Sequence, residues 1–326
     1  MTQKQVKRIG VLTSGGDAPG MNAVIRAVVR TASSQGVSVL GIRRGYSGLI
    51  SGDLVELTRR SVDGLLNRGG TMLYTARCME MFTEEGQEKA ALTCRHMGLQ
   101  GLAVIGGDGS FRGALALSQR GLAVVGIPAT IDNDICCTDY SIGFDTACNT
   151  AIDAIDKLRD TMQSHERCSV VEVMGREAGH LALNVGVGVG ATCILLPERH
   201  VDFEHAVIEP IRMGRLSGRN HHLIIVAEGH SSAQDVAVKV QESTGMDARV
   251  TILGHIQRGG QPSAQDRVIG TQMGCHAANL LLAGKKPTRL VISKDGDVVD
   301  CDMEEGLAQK KDLSQSLFEA ALAVTK

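Results

Sequence analysis

The chain has 326 residues, of which 43% are hydrophobic and 21% are charged, with a formal net charge of -2 at pH 7. This length exceeds what one hydrophobic core usually fills, so we expect two lobes. The near-neutral charge argues against nucleic-acid binding, because nucleic-acid-binding proteins carry a basic surplus that neutralises phosphates. The chain has nine cysteines, an odd number, and none forms a C-x-x-C pair. The sequence therefore indicates neither a disulfide framework nor a zinc site, and it favours a reducing cytoplasm.

Short apolar runs alternate with longer amphipathic segments along the chain. We predict strands, in chain order, at residues 9–13, 37–42, 102–105, 122–127, 169–173, 192–196, 223–227 and 289–293. This alternation is typical of an α/β fold in which helices connect parallel strands. No linker or low-complexity tract marks a boundary between the lobes, so the sequence alone places that boundary poorly.

The sequence does not predict a leader peptide or a membrane span. Residues 1–7 are polar and lack the apolar core of a signal peptide. The most membrane-like stretch, residues 181–196, is interrupted by Asn184 and several glycines and is shorter than the roughly 20 residues that a spanning helix needs. We interpret it as a helix that leads into a buried strand.

Two predicted strands run into glycine-rich loops that precede helices. Strand 9–13 leads into the loop 14–22, and strand 102–105 leads into Gly-Gly-Asp-Gly-Ser at 106–110. Glycines let backbone N–H groups approach a phosphate closely, and the start of a helix favours negative charge. The first loop matches neither of the common nucleotide motifs GxGxxG and GxxxxGK[ST]. Asp108 suits Mg²⁺, which takes one or two carboxylates and leaves its other positions to water and phosphates.

A third loop follows strand 122–127 and carries Asp132 and Asp134. Ligands bind beyond the carboxyl ends of parallel strands, so we expect these carboxylates to point into a crevice. Considered alone, an aspartate in such a turn more often caps backbone N–H groups. Cys136 and Cys137 come next, and we interpret them as buried structural cysteines with no catalytic role.

These loops, together with Met174-Gly175-Arg176 and Gly-His-Ile-Gln-Arg-Gly-Gly at 254–260, resemble the bacterial ATP-dependent 6-phosphofructokinase family. The matching segments cover nearly the whole chain in the family's order. The resemblance implies two Rossmann-like three-layer α/β lobes with largely parallel sheets. A nucleotide lobe would comprise residues 1–141 and 256–303, and a sugar-phosphate lobe residues 142–255 and 304–326.

The resemblance also implies a reaction, the transfer of the γ-phosphoryl group of MgATP to the 1-hydroxyl of fructose 6-phosphate in glycolysis. Asp132 would be the general base and Arg176 would bridge the transferring group, with Thr130 and Gly15 completing the catalytic set. Nucleotide contacts would come from Gly15, Arg77, Cys78, Gly107, Asp108, Gly109 and Ser110, with Asp108 holding Mg²⁺. Sugar-phosphate contacts would come from Thr130, Asp132, Arg167, Met174, Gly175, Arg176, Glu228, Arg249, His255 and Arg258.

The same resemblance implies a homotetramer, because Arg167 and Arg249 come from a neighbouring subunit in that family. An effector phosphate site would be formed by Arg26, Arg30, Arg59, Arg159 and Arg219. Thr192 stands where that site commonly has a glutamate that holds the effector's Mg²⁺, and Ser217 where it has a lysine, so activation by ADP is expected to be weakened or lost. Arg26 and Arg30 share a helix face, and a solvated face is the alternative interpretation.

Three alternative functions stay open at this point. Pyrophosphate-dependent relatives typically carry GGDD and a lysine at the position of Ala129, whereas this chain has Gly109 and Ala129, which favours ATP. A non-catalytic nucleotide-binding regulatory paralogue would not need Asp108, Asp132 and Arg176. A dinucleotide-dependent dehydrogenase would need the fingerprint that the first loop lacks.

Overall fold

The computed structural model describes residues 6–284, 288–308 and 310–325. Most of the polar start of the chain, residues 1–5, therefore lies outside the described residues. The chain divides into two compact units. The first unit comprises Met1–Thr130, Ile135–Asp145 and Arg258–Lys311, and the second comprises Ile131–Asp134, Thr146–Gln257 and Asp312–Lys326.

The first unit contains a seven-stranded sheet with the strand order β11-β10-β5-β4-β1-β2-β3. Its strands are β1 (Arg8–Thr13), β2 (Ser38–Ile42), β3 (Leu54–Leu57), β4 (Gly101–Gly106), β5 (Ala123–Pro128), β10 (Thr288–Lys294) and β11 (Asp297–Asp302). The five central strands are parallel, and the edge strands β3 and β11 are antiparallel to their neighbours. The carboxyl ends of β1 and β4 therefore lie side by side at one edge of the sheet.

Helices cover both faces of this sheet. They are α1 (Met21–Ser34), α2 (Gly45–Ser51), α3 (Glu84–His96), α4 (Asp108–Ser118), α9 (Ala264–Leu282) and α10 (Met303–Gly306), with 3₁₀ turns at Arg60–Val62 and Met79–Phe82. Leu102 and Val104 of β4 share one core cluster with Ala90 of α3 and Phe111 of α4. Alternate residues of a strand face opposite sides of the sheet. Helices α1 and α9 pack against each other and against strands of this sheet.

The second unit contains a four-stranded parallel sheet with the order β7-β8-β6-β9. Its strands are β6 (Cys168–Val173), β7 (Cys193–Leu195), β8 (His222–Ala227) and β9 (Ala248–Ile252). The helices are α5 (Phe144–Ser164), α6 (His180–Gly188), α7 (Glu209–Leu216), α8 (Ala233–Thr244) and α11 (Gln315–Thr325), with a π-helical turn at Glu204–Ile208 and a 3₁₀ turn at Gly254–Arg258. The helix-then-strand prediction for residues 181–196 is confirmed by α6 and β7.

The predicted α/β class with largely parallel sheets is confirmed, and each predicted strand is present with ends within two residues of the prediction. Three strands were missed, β3, β9 and β11. All three are sheet edges whose residues are mostly half-buried or exposed, so they lack the continuous apolar run that identifies a central strand. No helix in the described part of the chain is long and apolar enough to cross a membrane.

The compact units differ in detail from the predicted lobes. The first unit extends to Asp145 rather than 141 and resumes at Arg258 rather than 256, and it ends at Lys311 rather than 303. The loop Ile131–Asp134 groups with the second unit. The assignment of one lobe to nucleotide and the other to sugar phosphate stays a prediction.

Candidate active site

The first glycine-rich loop connects β1 to α1 in the first unit. Gly15 has a φ of 87°, in the left-handed region that glycine adopts without strain. Its carbonyl accepts a hydrogen bond from Thr75 Oγ1 at 2.7 Å, and Thr13 Oγ1 donates to the Tyr74 carbonyl at 2.9 Å. These two bonds hold residues 74–75 against the first glycine-rich loop. The exposed Arg77 follows two positions later.

The second glycine-rich loop joins β4 to α4 and packs against the first. A Cβ added at Gly106 would lie 2.5 Å from both the Ser14 carbonyl oxygen and Ser110 Oγ, so a larger residue would force the loops apart. A Cβ at Gly109 would meet no described atom within 4 Å. Open space therefore lies beside Gly109 in the first turn of α4, and the start of a helix favours an anion.

Asp108 begins α4 and is paired with Arg112 one turn later. The Arg112 Nε lies 2.8 Å from Asp108 Oδ2, and Nη2 lies 3.4 Å from Oδ1. Both side chains are substantially exposed, 44% for Asp108 and 63% for Arg112. An exposed pair at this spacing is worth only about 0.3–0.5 kcal/mol, so a divalent cation can displace Arg112. The described residues contain no group of three or more His, Cys, Asp or Glu that could hold a metal, and a single carboxylate fits Mg²⁺ that is otherwise bound by phosphates and water.

We expect the Arg112→Ala substitution to tighten Mg²⁺ binding by about twofold, because it removes a competitor worth only tenths of a kcal/mol. The Asp108→Asn substitution should weaken Mg²⁺ binding by about tenfold or more, because the carboxylate charge is lost. Calorimetric Mg²⁺ titration in the presence of a non-hydrolysable ATP analogue measures both. Equal affinity in the parent and in Asp108→Asn would remove Asp108 from the metal site.

The third loop places Asp132 against Arg176 within the second unit. The Asp132 side chain is 1% exposed, and its Oδ2 lies 3.3 Å from Arg176 Nε, whose side chain is 58% exposed. Arg176 has a φ of 54° and Asn133 a φ of 50°. Left-handed backbone at non-glycine residues is uncommon and concentrates at functional sites. The result is a buried carboxylate held beside an accessible guanidinium.

Glu228 fixes the backbone of the Met-Gly-Arg loop. Its Oε1 accepts hydrogen bonds from the backbone N–H groups of Gly175 at 3.1 Å and Arg176 at 2.6 Å. The next residue, Gly229, also supports the loop, because a Cβ there would lie 2.1 Å from the Arg176 carbonyl oxygen. The position of the Arg176 side chain therefore depends on a residue that follows β8, more than 50 positions along the chain.

Gln257 connects the Met-Gly-Arg loop to the 3₁₀ turn that carries His255. It is fully buried, its Oε1 accepts from the Met174 N–H at 3.3 Å, and its Nε2 donates to the Gly254 carbonyl at 3.0 Å. His255 itself is exposed. Gln257 was not among the predicted site residues, and its only signal in the sequence is its place between His255 and Arg258 in one motif.

The structure brings two of the predicted sugar-phosphate arginines together. Arg167 Nε lies 2.7 Å from Asp247 Oδ2, and Arg249 Nε lies 3.2 Å from Asp247 Oδ1. Asp247 was not predicted as a site residue. It directly precedes β9 and lies two residues before Arg249, a spacing that permits an ion pair with that side chain. Arg258 belongs to the first unit, where its Nη1 donates to the Asp17 carbonyl at 3.2 Å.

The remaining predicted residues are distributed between the units. Thr130 is buried and, like the half-buried Cys78, lies in the first unit. Cys136 and Cys137 were expected to be buried, but both are only partly buried, and Cys137 packs against the outside of the core cluster of the first unit rather than within it. Their lack of a role in catalysis stays a prediction.

Two of the five predicted effector arginines line one cavity in the second unit. The cavity has a volume of about 160 Å³ and is lined by Arg159, Met162, Gly190, Thr192, Arg219, His221 and Leu223. None of these lining residues is acidic. Arg30, in the first unit, instead pairs with Asp63 at 3.0 Å, while Arg26 lies on α1 and Arg59 is exposed. Ser217 does not line the cavity, and its hydroxyl donates to the Gly214 carbonyl at 2.8 Å.

Thr192 turns its hydroxyl toward the sheet at the edge of this cavity. Its Oγ1 accepts from the Leu223 N–H at 3.3 Å and lies 3.5 Å from Nδ1 of the buried His222. Burial, reinforced by the positive charge of Arg219, lowers the pKa of His222 from 6.5 to about 4. The imidazole is therefore neutral at pH 7, and the cavity's positive charge comes from its arginines.

His222 predicts a pH dependence of the free energy of unfolding. Because the pKa of His222 is lower in the folded state than its usual 6.5, the unfolded chain takes up the proton first. The contribution of the neutral His222 side chain to the free energy of unfolding is therefore complete above pH 6.5 and is lost as the pH falls toward 4. We expect about 2 kcal/mol, less than the full shift because solvent screens part of it. Urea unfolding at pH 7 and pH 4.5 should show a smaller loss in His222→Asn, and equal losses would contradict the prediction.

Comparisons with known proteins show which family the chain resembles in sequence. The family model described as Phosphofructokinase matches residues 8–281. A protein of Clostridium botulinum named ATP-dependent 6-phosphofructokinase is 51% identical over 321 residues, which is 98% of this chain and all of the relative. A protein of the same name from Clostridium tetani is 52% identical over 320 residues, again 98% of this chain and all of the relative.

Solved structures show the same similarity. Phosphofructokinase from Saccharomyces cerevisiae superposes with a TM-score of 0.87 at 36% identity, over 98% of this chain and 46% of that longer chain. A pyrophosphate-dependent phosphofructokinase from Marinobacter aquaeolei superposes with a TM-score of 0.84 at 21% identity, over 98% of this chain and 92% of the other. The second likeness concerns the fold alone.

Proposed function

Because the chain belongs to the phosphofructokinase family, we propose that it transfers the γ-phosphoryl group of ATP to the 1-hydroxyl of D-fructose 6-phosphate. The products are fructose 1,6-bisphosphate and ADP, in a step of glycolysis. The observation that carries this proposal is the buried Asp132 held 3.3 Å from the accessible guanidinium of Arg176. Relatives that share about half of its residues bear the name of this activity.

Phosphoryl transfer needs positioning and charge stabilisation more than covalent help from the protein. Asp132 accepts the proton of the attacking hydroxyl, and its burial keeps bulk water from competing for that proton. The planar guanidinium of Arg176 stabilises the charge that develops on the transferring group. Glu228 holds the backbone that positions Arg176.

The donor phosphates are bound by the two glycine-rich loops of the first unit. Backbone N–H groups at Gly15, Gly107 and Gly109 approach the phosphates, and Arg77 pairs with their oxygens. Asp108 holds Mg²⁺, which when bound neutralises part of the charge on the phosphates. The accessible start of α4 and the weak pairing of Asp108 with Arg112 support this assignment.

ATP, rather than pyrophosphate, is the proposed donor. An aspartate at position 109 would project its carboxylate into the space that is open beside Gly109, where it would repel a nucleotide's α-phosphate. We expect fructose 1,6-bisphosphate to form with MgATP and at a rate about tenfold or more lower with pyrophosphate, because pyrophosphate leaves the space beside Gly109 unfilled and loses the charged contacts that the nucleotide makes there. Equal rates with both donors would contradict the assignment.

We further propose a homotetramer in which Arg167 and Arg249 of a second copy bind the 6-phosphate, together with His255 and Arg258. The pairing of both arginines with Asp247 supports a joint role, because one carboxylate holds the two guanidinium groups near one another. Light scattering combined with activity tests this assembly. A verified monomer with full activity and an unchanged KM for fructose 6-phosphate would reject it. Cytoplasmic location is proposed with the glycolytic role.

The cavity at Arg159 and Arg219 is the proposed effector site, and its ligand is an anion that binds without a metal. Mg²⁺ requires oxygen ligands, preferably carboxylates, and none of the lining residues supplies a carboxylate. Arg159 is also tied to the Val189 carbonyl, which fixes its place. We expect MgADP to give less than a twofold activation at subsaturating fructose 6-phosphate, since a lost charged contact typically weakens binding by about tenfold or more. Activation of several-fold would show that a metal-bound diphosphate still binds.

A further inference from the structure

Two cysteine thiols meet at the edge of the core of the first unit. Cys137 follows the loop that carries Asp132, and Cys301 lies on β11. A Cβ added at Gly306 would lie 3.0 Å from Cys137 Sγ and 3.2 Å from Cys301 Sγ, so both sulfur atoms border the same point above α10. The two thiols are close enough for each to shift the pKa of the other. They are 164 positions apart in the sequence, and the pairing could not have been predicted from their spacing.

The backbone around the pair already holds the two chain segments together. Thr138 Oγ1 accepts a hydrogen bond from the Ser293 N–H at 2.9 Å, and the Asp139 N–H donates to the Ser293 carbonyl at 2.9 Å. Ser293 lies on β10, which is paired along its length with β11. These bonds and the strand pairing keep the two segments that carry Cys137 and Cys301 side by side.

The two thiols are chemically unequal. The hydrogen bond from Cys137, with a further contribution from the positive charge of Arg289, lowers the pKa of Cys301. The same hydrogen bond, together with burial, raises the pKa of Cys137. The thiolate is the reactive form of cysteine, so Cys301 is the nucleophile of the pair and Cys137 keeps its proton.

Three buried cysteines are less suited to this chemistry. Burial raises the pKa of Cys94, Cys168 and Cys193 to about 12 in each case, which leaves them protonated. Cys275 is partly buried and its sulfur accepts a hydrogen bond from the Thr31 hydroxyl at 3.4 Å. It provides a matched control because its exposure resembles that of Cys301.

We propose that Cys137 and Cys301 form a reversible, hydroperoxide-sensitive disulfide site. The Cys301 thiolate attacks one oxygen of the hydroperoxide, so that the O–O bond breaks, sulfur is oxidised to a sulfenic acid, and hydroxide or alkoxide leaves. The Cys137 sulfur then attacks the sulfenic sulfur. A disulfide forms, and the Cys137 proton leaves with the displaced hydroxide as water. A dithiol reductant restores both thiols.

Peptide mapping of the folded parent protein tests this proposal directly. The protein is treated with stoichiometric hydrogen peroxide, its remaining thiols are alkylated, and a digest is analysed by mass spectrometry before and after dithiothreitol. We expect a peptide pair joined through Cys137 and Cys301, lighter than the sum of the free peptides by two hydrogen atoms and separated by the reductant. Preferential oxidation of any other cysteine, or conversion of Cys301 to sulfinic acid without a cross-link, would overturn the proposal.

Variants separate the two roles. In Cys137→Ser the sulfenic acid at Cys301 has no partner, so we expect it to be captured by dimedone, whereas Cys301→Ser should give neither cross-link nor dimedone adduct. Cys275→Ser should behave as the parent does. Dimedone labelling of Cys137 in Cys301→Ser would reverse the assignment of nucleophile. The parent measurement needs no variant and decides the proposal even if a substitution prevents folding.

Discussion

Replacement of Asp132 by asparagine should lower kcat by about 10²–10⁴-fold, the range that a positioned general base contributes. The amide has the shape of the carboxylate but cannot accept the proton of the sugar hydroxyl. Because Asp132 is almost fully buried, bulk water cannot readily take over its role. The KM for fructose 6-phosphate should change little, since the loss concerns the transition state. Steady-state kinetics with MgATP measure both constants.

A matched control separates this effect from a general loss of carboxylate charge. Asp153 lies in the same unit, is 70% exposed and pairs with Lys157 one helical turn away. The Asp153→Asn substitution should leave kcat within about twofold of the parent, because an exposed pair contributes little. A similar loss in both variants, or a loss of less than tenfold in Asp132→Asn, would contradict a role for Asp132 as the base.

Replacement of Arg176 by methionine should lower kcat by about 10²–10³-fold, because one donor that stabilises developing negative charge is removed. Methionine keeps the unbranched shape of the side chain without its charge. Like arginine it is not glycine, so the backbone at a φ of 54° is strained in both proteins. Lysine at this position should restore only part of the rate, since it retains the charge but not the planar fork. The measurement is again kcat at saturating MgATP.

Arg212, which lies in the same unit and is about half exposed, provides the control for loss of an arginine. Its pairing with Glu204 is remote from the Met-Gly-Arg loop in the sequence, and Arg212→Met should retain nearly full activity. The double variant Asp132→Asn, Arg176→Met should lose less than the product of the single losses, because groups that act in one step are not additive. Strictly multiplicative losses would mean that the two residues act independently.

How much of the fold could be predicted depended on how strands are buried. β4 and β5 are fully buried along their lengths, so each appears in the sequence as a continuous apolar run. β11 contains three aspartates among its six residues and lies at a sheet edge. Its identity as a strand depends on pairing with β10 after a turn at Gly296, which has a φ of 88°. Local composition does not specify such a pairing.

In the candidate site, too, residues in local motifs could be predicted, whereas contacts between distant positions could not. Asp132 and Arg176 were predicted because each lies in a recognisable motif. Glu228 was predicted to contact the sugar, but its hydrogen bonds to the Met-Gly-Arg loop were not, because they join positions more than 50 residues apart. The same holds for Gln257 and its bond to Met174. Such contacts are set by the order of strands in the second sheet, which the sequence does not reveal.

The proposed reaction is best tested by identifying the oxygen atom to which the terminal phosphoryl group of ATP is transferred. Phosphorus NMR of fructose 6-phosphate incubated with MgATP and purified protein should show a new ester at the sugar 1-oxygen, formed in step with ADP. The signal should build up at least about a hundred times more slowly with Asp132→Asn. ATP hydrolysis without a sugar ester, an ester at another oxygen, or equal rates for parent and variant would contradict the proposed reaction.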